Sequence, residues 1–192
     1  MIGKLMLENI RNYLTEVSDL VMKVPADEVD RVTRIIIDAY HNRNTIFVFG
    51  NGGGSATASH FVCDLSKGTV TPGAPRLKAL SLTNNVALIT AWANDTDYTN
   101  TFGEQLENLV AEGDVVIGLS GSGMSPNVIN AFHVANRAKA TSILFSGFDG
   151  GKAMQVAAES IVVPSDDMQQ IEDVHMILTH VIFRCVRDQI TG

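Results

Sequence analysis

Along the N-terminal part of the chain, apolar residues recur at three- and four-residue steps. Leu7, Ile10, Leu14, Val17 and Val21 form one stripe, and Val29, Val32, Ile36 and Tyr40 form a second. That period predicts two amphipathic helices between about Leu5 and His41, separated where Pro25 breaks the run. The rhythm then changes. Short, nearly continuous apolar runs at Thr45–Phe49, Leu77–Leu82, Val115–Leu119, Ser142–Phe145 and Ser160–Val163 read as buried parallel strands, covered on both faces. Helical patterns fall between them, near Ala56–Leu65, Val86–Ala93, Phe102–Val110, Pro126–Ala138 and Lys152–Ala158, and a last one spans about Gln170 to Arg187. Strand–helix alternation of this kind predicts a doubly wound α/β fold with right-handed crossovers. No internal repeat or low-complexity linker divides the 192 residues, so a single domain is expected.

Composition narrows the function classes. Apolar residues make up 45% of the chain and charged residues 18%, below the roughly 25% that is usual, which points to surface hidden in an oligomer. A net charge of −7 gives no basic footprint for nucleic acid. No uncharged run is long enough to span a membrane, and the N-terminal residues lack the apolar core of a signal peptide. Two cysteines, Cys63 and Cys185, form neither a disulfide framework nor a C-x-x-C pair, which suits a cytoplasmic protein. Chemistry is therefore expected at the carboxyl ends of the strands, where doubly wound sheets bind ligands.

Two loops there stand out. The first strand runs into Gly50-Asn51-Gly52-Gly53-Gly54-Ser55, and the third into Ser120-Gly121-Ser122-Gly123-Met124-Ser125-Pro126, each at a helix start. Glycines let backbone N–H groups approach a ligand, and the following helix aims its free N–H groups at the same point. Neither loop is a Gly-Lys-Ser/Thr phosphate loop or a clean G-x-G-x-x-G. Ser125 and Pro126 suit the cap and first position of a helix; Ser120 and Ser122 have no such role, and the three hydroxyls are read as an anion cradle without a cation. His60 and Asp64 share a helix face at four residues' spacing, and Glu172 and His180 interrupt an otherwise apolar final helix. Each pair by itself also fits a satisfied hydrogen-bonded couple.

Taken together, Gly50-Asn51-Gly52-Gly53 with His60-Phe61, the Ser120–Ser125 loop, Asn94-Asp95, and His175 with His180 resemble sugar isomerase (SIS) domains, and within them the phosphoheptose isomerases. The resemblance covers essentially the whole chain. It implies a five-stranded parallel sheet in flavodoxin-like order behind two N-terminal helices (residues 1–43) used in oligomerisation. The implied activity is interconversion of sedoheptulose 7-phosphate and D-glycero-D-manno-heptose 7-phosphate in a homotetramer with shared active sites. Asn51, Gly52, Gly53 and Ser55 would orient the sugar; Ser120, Gly121, Ser122 and Ser125 would hold the phosphate. Asn94, Asp95 and Glu172 are further substrate positions, although Asn94-Asp95 fits a helix-ending turn equally well. Asp64 and His180 fall on the catalytic acid–base positions, in either assignment, and His60, Asp64, Glu172 and His180 on the zinc-binding positions.

Three departures from the family pattern are visible: Asp64 in place of glutamate, Glu172 in place of glutamine, and Gly54 where a serine is usual, with Ser55 one place later. Glu172 and His180 lie about 12 Å apart along a helix, so Asp173 is a rival for Glu172, or the ligands come from different subunits. His175 points elsewhere and reads as a core or interface histidine; His41 and His133 read as ordinary helix residues. Lys67, Gln169 and Gln170 are read either as substrate contacts or as solvated and capping residues. A non-catalytic sugar-phosphate adaptor and an isomerase of another ketose phosphate are the competing functions.

Overall fold

The computed structural model describes residues 2–191; Met1 and Gly192, the ends of the expected domain, lie outside them. Two helices, α1 (Ile2–Lys23) and α2 (Ala26–His41), precede five strands: β1 (Thr45–Gly50), β2 (Lys78–Ser81), β3 (Val115–Leu119), β4 (Thr141–Ser146) and β5 (Glu159–Val162). Between the strands lie α3 (Gly53–Gly68), α4 (Val86–Asp95), α5 (Gly103–Glu107), α6 (Pro126–Arg137) and α7 (Gly151–Met154); α8 (Met168–Thr191) ends the chain. All strand pairs are parallel, in the order β2-β1-β3-β4-β5, so the expected doubly wound, flavodoxin-like sheet is the one that forms. The order reverses between β1 and β3, so the glycine and serine loops leave the sheet side by side.

Alternating residues of the central strands build two cores, one on each face. Ile46, Val48, Val115, Ile117, Ile143 and Phe145 pack with Phe61, Leu65, Ile171, Val174, Leu178 and Ile182 of α3 and α8 and with Val32 and Ile36 of α2. Phe47, Phe49, Val116 and Leu144 turn the other way, onto Leu106 of α5 and Val128, Ala131 and Phe132 of α6. This double burial is why the strands read as unbroken apolar runs.

Two predicted helices are shorter than their patterns. The Phe102–Val110 run keeps only the short α5, with a separate 3₁₀ turn at Tyr98–Asn100 just before it. The Lys152–Ala158 run keeps one turn, α7, because the Ala158 N–H is taken by the Ser142 carbonyl as the chain enters β5. The N-terminal stripe also divides. Val17, Leu20, Val21 and Val24 reach the core, whereas Leu7, Ile10 and Leu14 stay 48–64% exposed. Helix α1 is fastened to α8 by polar contacts: Tyr13 Oη donates to Asp173 Oδ2 at 2.7 Å, and Gln170 Nε2 to Glu16 Oε2 at 2.8 Å.

Phe132 is fully buried between α6 and the sheet, against Phe49. Phe132→Ala is expected to lower the unfolding free energy by about 3–5 kcal/mol, read as a shift in the urea midpoint at unchanged slope.

Candidate active site

The serine loop and the glycine loop form the walls of a cleft of about 210 Å³, lined by Asn51, Gly52, Gly54, Leu119, Ser120, Gly121, Ser122, Ser125, Met168, Glu172 and His175. Ser125 sits at the N-cap of α6 as expected, but its hydroxyl makes no cap bond. It accepts instead from Ser120 Oγ at 3.1 Å, while Ser122 Oγ accepts from the Met124 N–H at 3.3 Å. The hydroxyls thus hold the loop in shape. Among the described residues, the N–H groups of Gly121, Ser122 and Ser125 have no hydrogen-bond partner, which leaves them available to an anion.

Glycine is required at Gly52 in the facing loop, and Gly53 leaves room for a side chain from α8. Gly52 caps α3 with φ +52°, a left-handed conformation that side chains resist, and a Cβ on Gly53 would collide with the Glu172 carboxylate. The contact places Glu172 at the cleft, beside the first turn of α3. Ser55 is turned back on its own loop, its Oγ donating to the Gly52 carbonyl at 2.7 Å.

The contacts continue in the same order down both helices. Beyond Gly53 and Glu172, His60 meets His180, and Gly68 meets the ring of Phe183, so α3 and α8 lie parallel. The two Nε2 atoms of His60 and His180 are 2.9 Å apart, and Asp64 Oδ2 lies 3.3 Å from the first and 3.8 Å from the second. The aspartate therefore reaches both imidazoles despite its short side chain. Two ring nitrogens this close share one proton or face one cation, because two N–H bonds would collide.

Two nitrogens and one carboxylate oxygen with these separations suit one face of a tetrahedral zinc site, whose ligand–ligand edges are roughly 3.3 Å for bonds of about 2.0 Å. The three residues form the one cluster of potential metal ligands found among the described residues. Glu172 is not part of it; two turns of α8 separate Glu172 from His180. Asp173, its rival, is occupied by Tyr13. That contact pushes the Tyr13 phenol up to about 12, through the hydrogen bond first and then desolvation and the carboxylate charge.

Other expected positions lie outside the cleft. Asn94 and Asp95 end the exposed α4, with Asn94 Nδ2 donating to Asp95 Oδ1 at 2.8 Å. Lys67 is exposed near the end of α3. The α8 N-terminus is capped by Asp167, which accepts from the N–H groups of Gln169 and Gln170; the latter's buried side chain bridges Ser165 and Glu16. The sequence reading missed Asp167, which precedes the helix at an ordinary capping spacing, and it missed Asn127 and Tyr98, which hold the side chain of Asn51.

His175 is a core histidine that also reaches the cleft floor. It is 2% exposed, stacks edge-on against Phe145, and contacts the Ser146 carbonyl through Nε2 at 3.2 Å. Burial pushes its imidazole down from 6.5 to about 4, opposed by that hydrogen bond.

Against this geometry, a family model described as SIS domain matches residues 11–147. A phosphoheptose isomerase of Aquifex aeolicus is 34% identical over 188 residues, covering 96% of this chain and 98% of that protein. One from Akkermansia muciniphila is 33% identical over 189 residues, with coverage of 97% and 100%. The structure of phosphoheptose isomerase from Neisseria gonorrhoeae superposes with a TM-score of 0.88 at 25% identity, covering 98% of this chain and all of that one. The chain belongs to the SIS domain family and, within it, to the phosphoheptose isomerases.

Because the folded His175 stays neutral, the unfolded chain takes up a proton below pH 6.5 that the folded one refuses until about pH 4. The associated stability is complete above 6.5 and is lost as pH falls towards 4, by roughly 3 kcal/mol. Urea unfolding across that range should show this slope in the native chain and lack it in His175→Asn.

Proposed function

We propose that this chain is an aldose–ketose isomerase that converts sedoheptulose 7-phosphate to D-glycero-D-manno-heptose 7-phosphate through an enediol. The observation that carries the reading is the convergence of His60, Asp64 and His180 on one point. A protein that only bound sugar phosphate would need the serine-walled cleft but not a carboxylate facing two imidazoles.

In this reading the free N–H groups of the serine loop, with Ser120, Ser122 and Ser125, hold the phosphate, and Asn51, Gly52, Gly53 and Glu172 line the path of the sugar. Ser55, Asn94 and Asp95 act as outer substrate contacts. Asp64 faces both histidines through Oδ2, and the carboxylate takes a proton from C1 of the ketose while His180 supplies one to O2, giving the enediol. Loss of the O1 proton and return of the carbon proton to C2 complete the aldose. Both groups stand at a half-open surface where water can recharge them.

His60, Asp64 and His180 would hold a zinc ion through Nε2, Oδ2 and Nε2, which leaves Oδ1 of Asp64 and Nδ1 of His180 for the proton transfers, while Glu172, against Gly53 in its own cleft, stays with the sugar. Bound there, zinc supplies Lewis-acid polarisation of the substrate's carbonyl oxygen. A homotetramer with shared sites fits the exposed Leu7, Ile10 and Leu14 on α1, in the residue 1–43 helical pair, and the α4 helix, none of whose residues is buried. Among the described residues no helix is long and apolar enough to cross a membrane, and two free, exposed cysteines accord with a cytoplasmic location.

NMR in deuterated buffer with sedoheptulose 7-phosphate tests the reaction. The native chain should form aldose carrying deuterium at C2. Asp64→Asn and His180→Ala should remain folded and lose about 10²–10⁴-fold in turnover. Chelation should lower the rate and zinc restore it. Substrate binding without turnover, in both chelated and zinc-supplemented protein, overturns the assignment.

A further inference from the structure

The side chain of Asn51 is held from two directions. Its Nδ2 donates to Asn127 Oδ1 at 2.9 Å, and its Oδ1 accepts from Asn127 Nδ2 at 2.9 Å and from the Tyr98 hydroxyl at 2.8 Å. Asn127 lies in the first turn of α6 and is 1% exposed; Asn51 is at the cleft wall. A carboxamide has one oxygen with two lone pairs and one nitrogen with two hydrogens. The Asn51 oxygen is therefore filled, and one of its N–H bonds is left over.

A reciprocal amide pair closes equally well with both side chains turned over, so something else must set its direction. Asn127 Nδ2 also faces Thr101 Oγ1, at 3.4 Å. The buried Thr101 hydroxyl gives its single hydrogen to the Tyr98 carbonyl at 3.0 Å, so towards Asn127 it acts as acceptor. A backbone carbonyl cannot donate. Its fixed polarity passes through Thr101 to Asn127 and from there to Asn51, and the Tyr98 phenol, a better donor than acceptor, favours the same sense at the far end. Turned the other way, the pair would set the Asn127 oxygen against Thr101 Oγ1, and the hydroxyl could meet it only by giving up its 3.0 Å bond to the Tyr98 carbonyl, which would keep only the longer contact from the Thr101 N–H at 3.3 Å.

We propose that Asn127, Thr101 and Tyr98 are positioning residues that lock Asn51 as a hydrogen-bond donor to the cleft, so that it holds an acceptor oxygen of the bound sugar phosphate. The proposal rests on the isomerase reading above. It gives Asn51 a defined sense, donor and not acceptor, and it assigns the specificity of this wall of the cleft to residues that never touch the ligand.

A double-mutant cycle on the full chain, with sedoheptulose 7-phosphate as substrate, tests it. Asn127→Asp sets an oxygen where the Asn127 donor stood, so it faces the Asn51 oxygen without a hydrogen and the Asn51 amide loses the partner that fixed its direction. KM is then expected to rise about tenfold or more, with kcat within about threefold, the pattern of lost ground-state binding. Tyr98→Phe removes one reinforcing donor and should raise KM about threefold. In an Asn51→Ala background neither change should raise KM further, because both act through Asn51. Equal rises in the two backgrounds, or native KM in both single variants, overturn the proposal. Should Asn127→Asp fail to fold, the exposed Tyr98 carries the same cycle alone. A native chain that does not turn over the sugar phosphate brings down the isomerase reading and this proposal with it; native turnover combined with an unmoved KM brings down the proposal alone.

Discussion

The parallel packing of α8 on α3 is the constraint on which the rest of the site depends. Three contacts mark it: the Glu172 carboxylate over Gly53, His180 against His60, and the Phe183 ring over Gly68. At the first and last of these a methyl group would displace the Glu172 carboxylate or the Phe183 ring. Between them, the close approach brings two imidazoles within 2.9 Å and lays Asp64 beside both. The apolar residues of α8 that face the sheet, Ile171, Val174, Leu178 and Ile182, supply the burial that holds this arrangement. A chemical cluster at a half-exposed surface is thus kept in place by a core it does not belong to.

The anion cradle uses dipoles where many phosphate sites use charge. The described lining of the cleft contains no lysine or arginine and does contain one glutamate. Free loop N–H groups and the N-terminal ends of α3 and α6 supply the positive potential. The neighbouring amide pair of Asn51 and Asn127 follows the same economy, with direction set by a backbone carbonyl and no ionised group.

Helix α1 connects the site to the outer surface. Its Tyr13 and Glu16 bind Asp173 and Gln170, which bracket Glu172 on α8, while its apolar N-terminal half faces outward. Whatever covers that apolar stripe therefore bears on the helix that carries the cleft's carboxylate.

Much of this was legible in the sequence. The strands were readable because both faces of each central strand are buried, and the two N-terminal helices because their apolar residues follow the helical period. Local chemistry also announced the Gly50–Ser55 and Ser120–Ser125 loops, and the four-residue spacing of His60 and Asp64 put them on one face before any fold was known. What the sequence could not carry is the relation between elements distant along the chain. His180 is 120 residues from His60, and Asn127 is 76 from Asn51. Glu172 and Asp173 were equal candidates in one dimension; the angle of α8 turned one to the cleft and the other to Tyr13. The short α5 and α7 kept helical patterns that sheet hydrogen bonding and loop closure overrode. Periodicity records which face of an element is buried, so the sequence determined the layers; which side chains meet across them depends on the rotation and register of packed elements, and those only the tertiary structure decided.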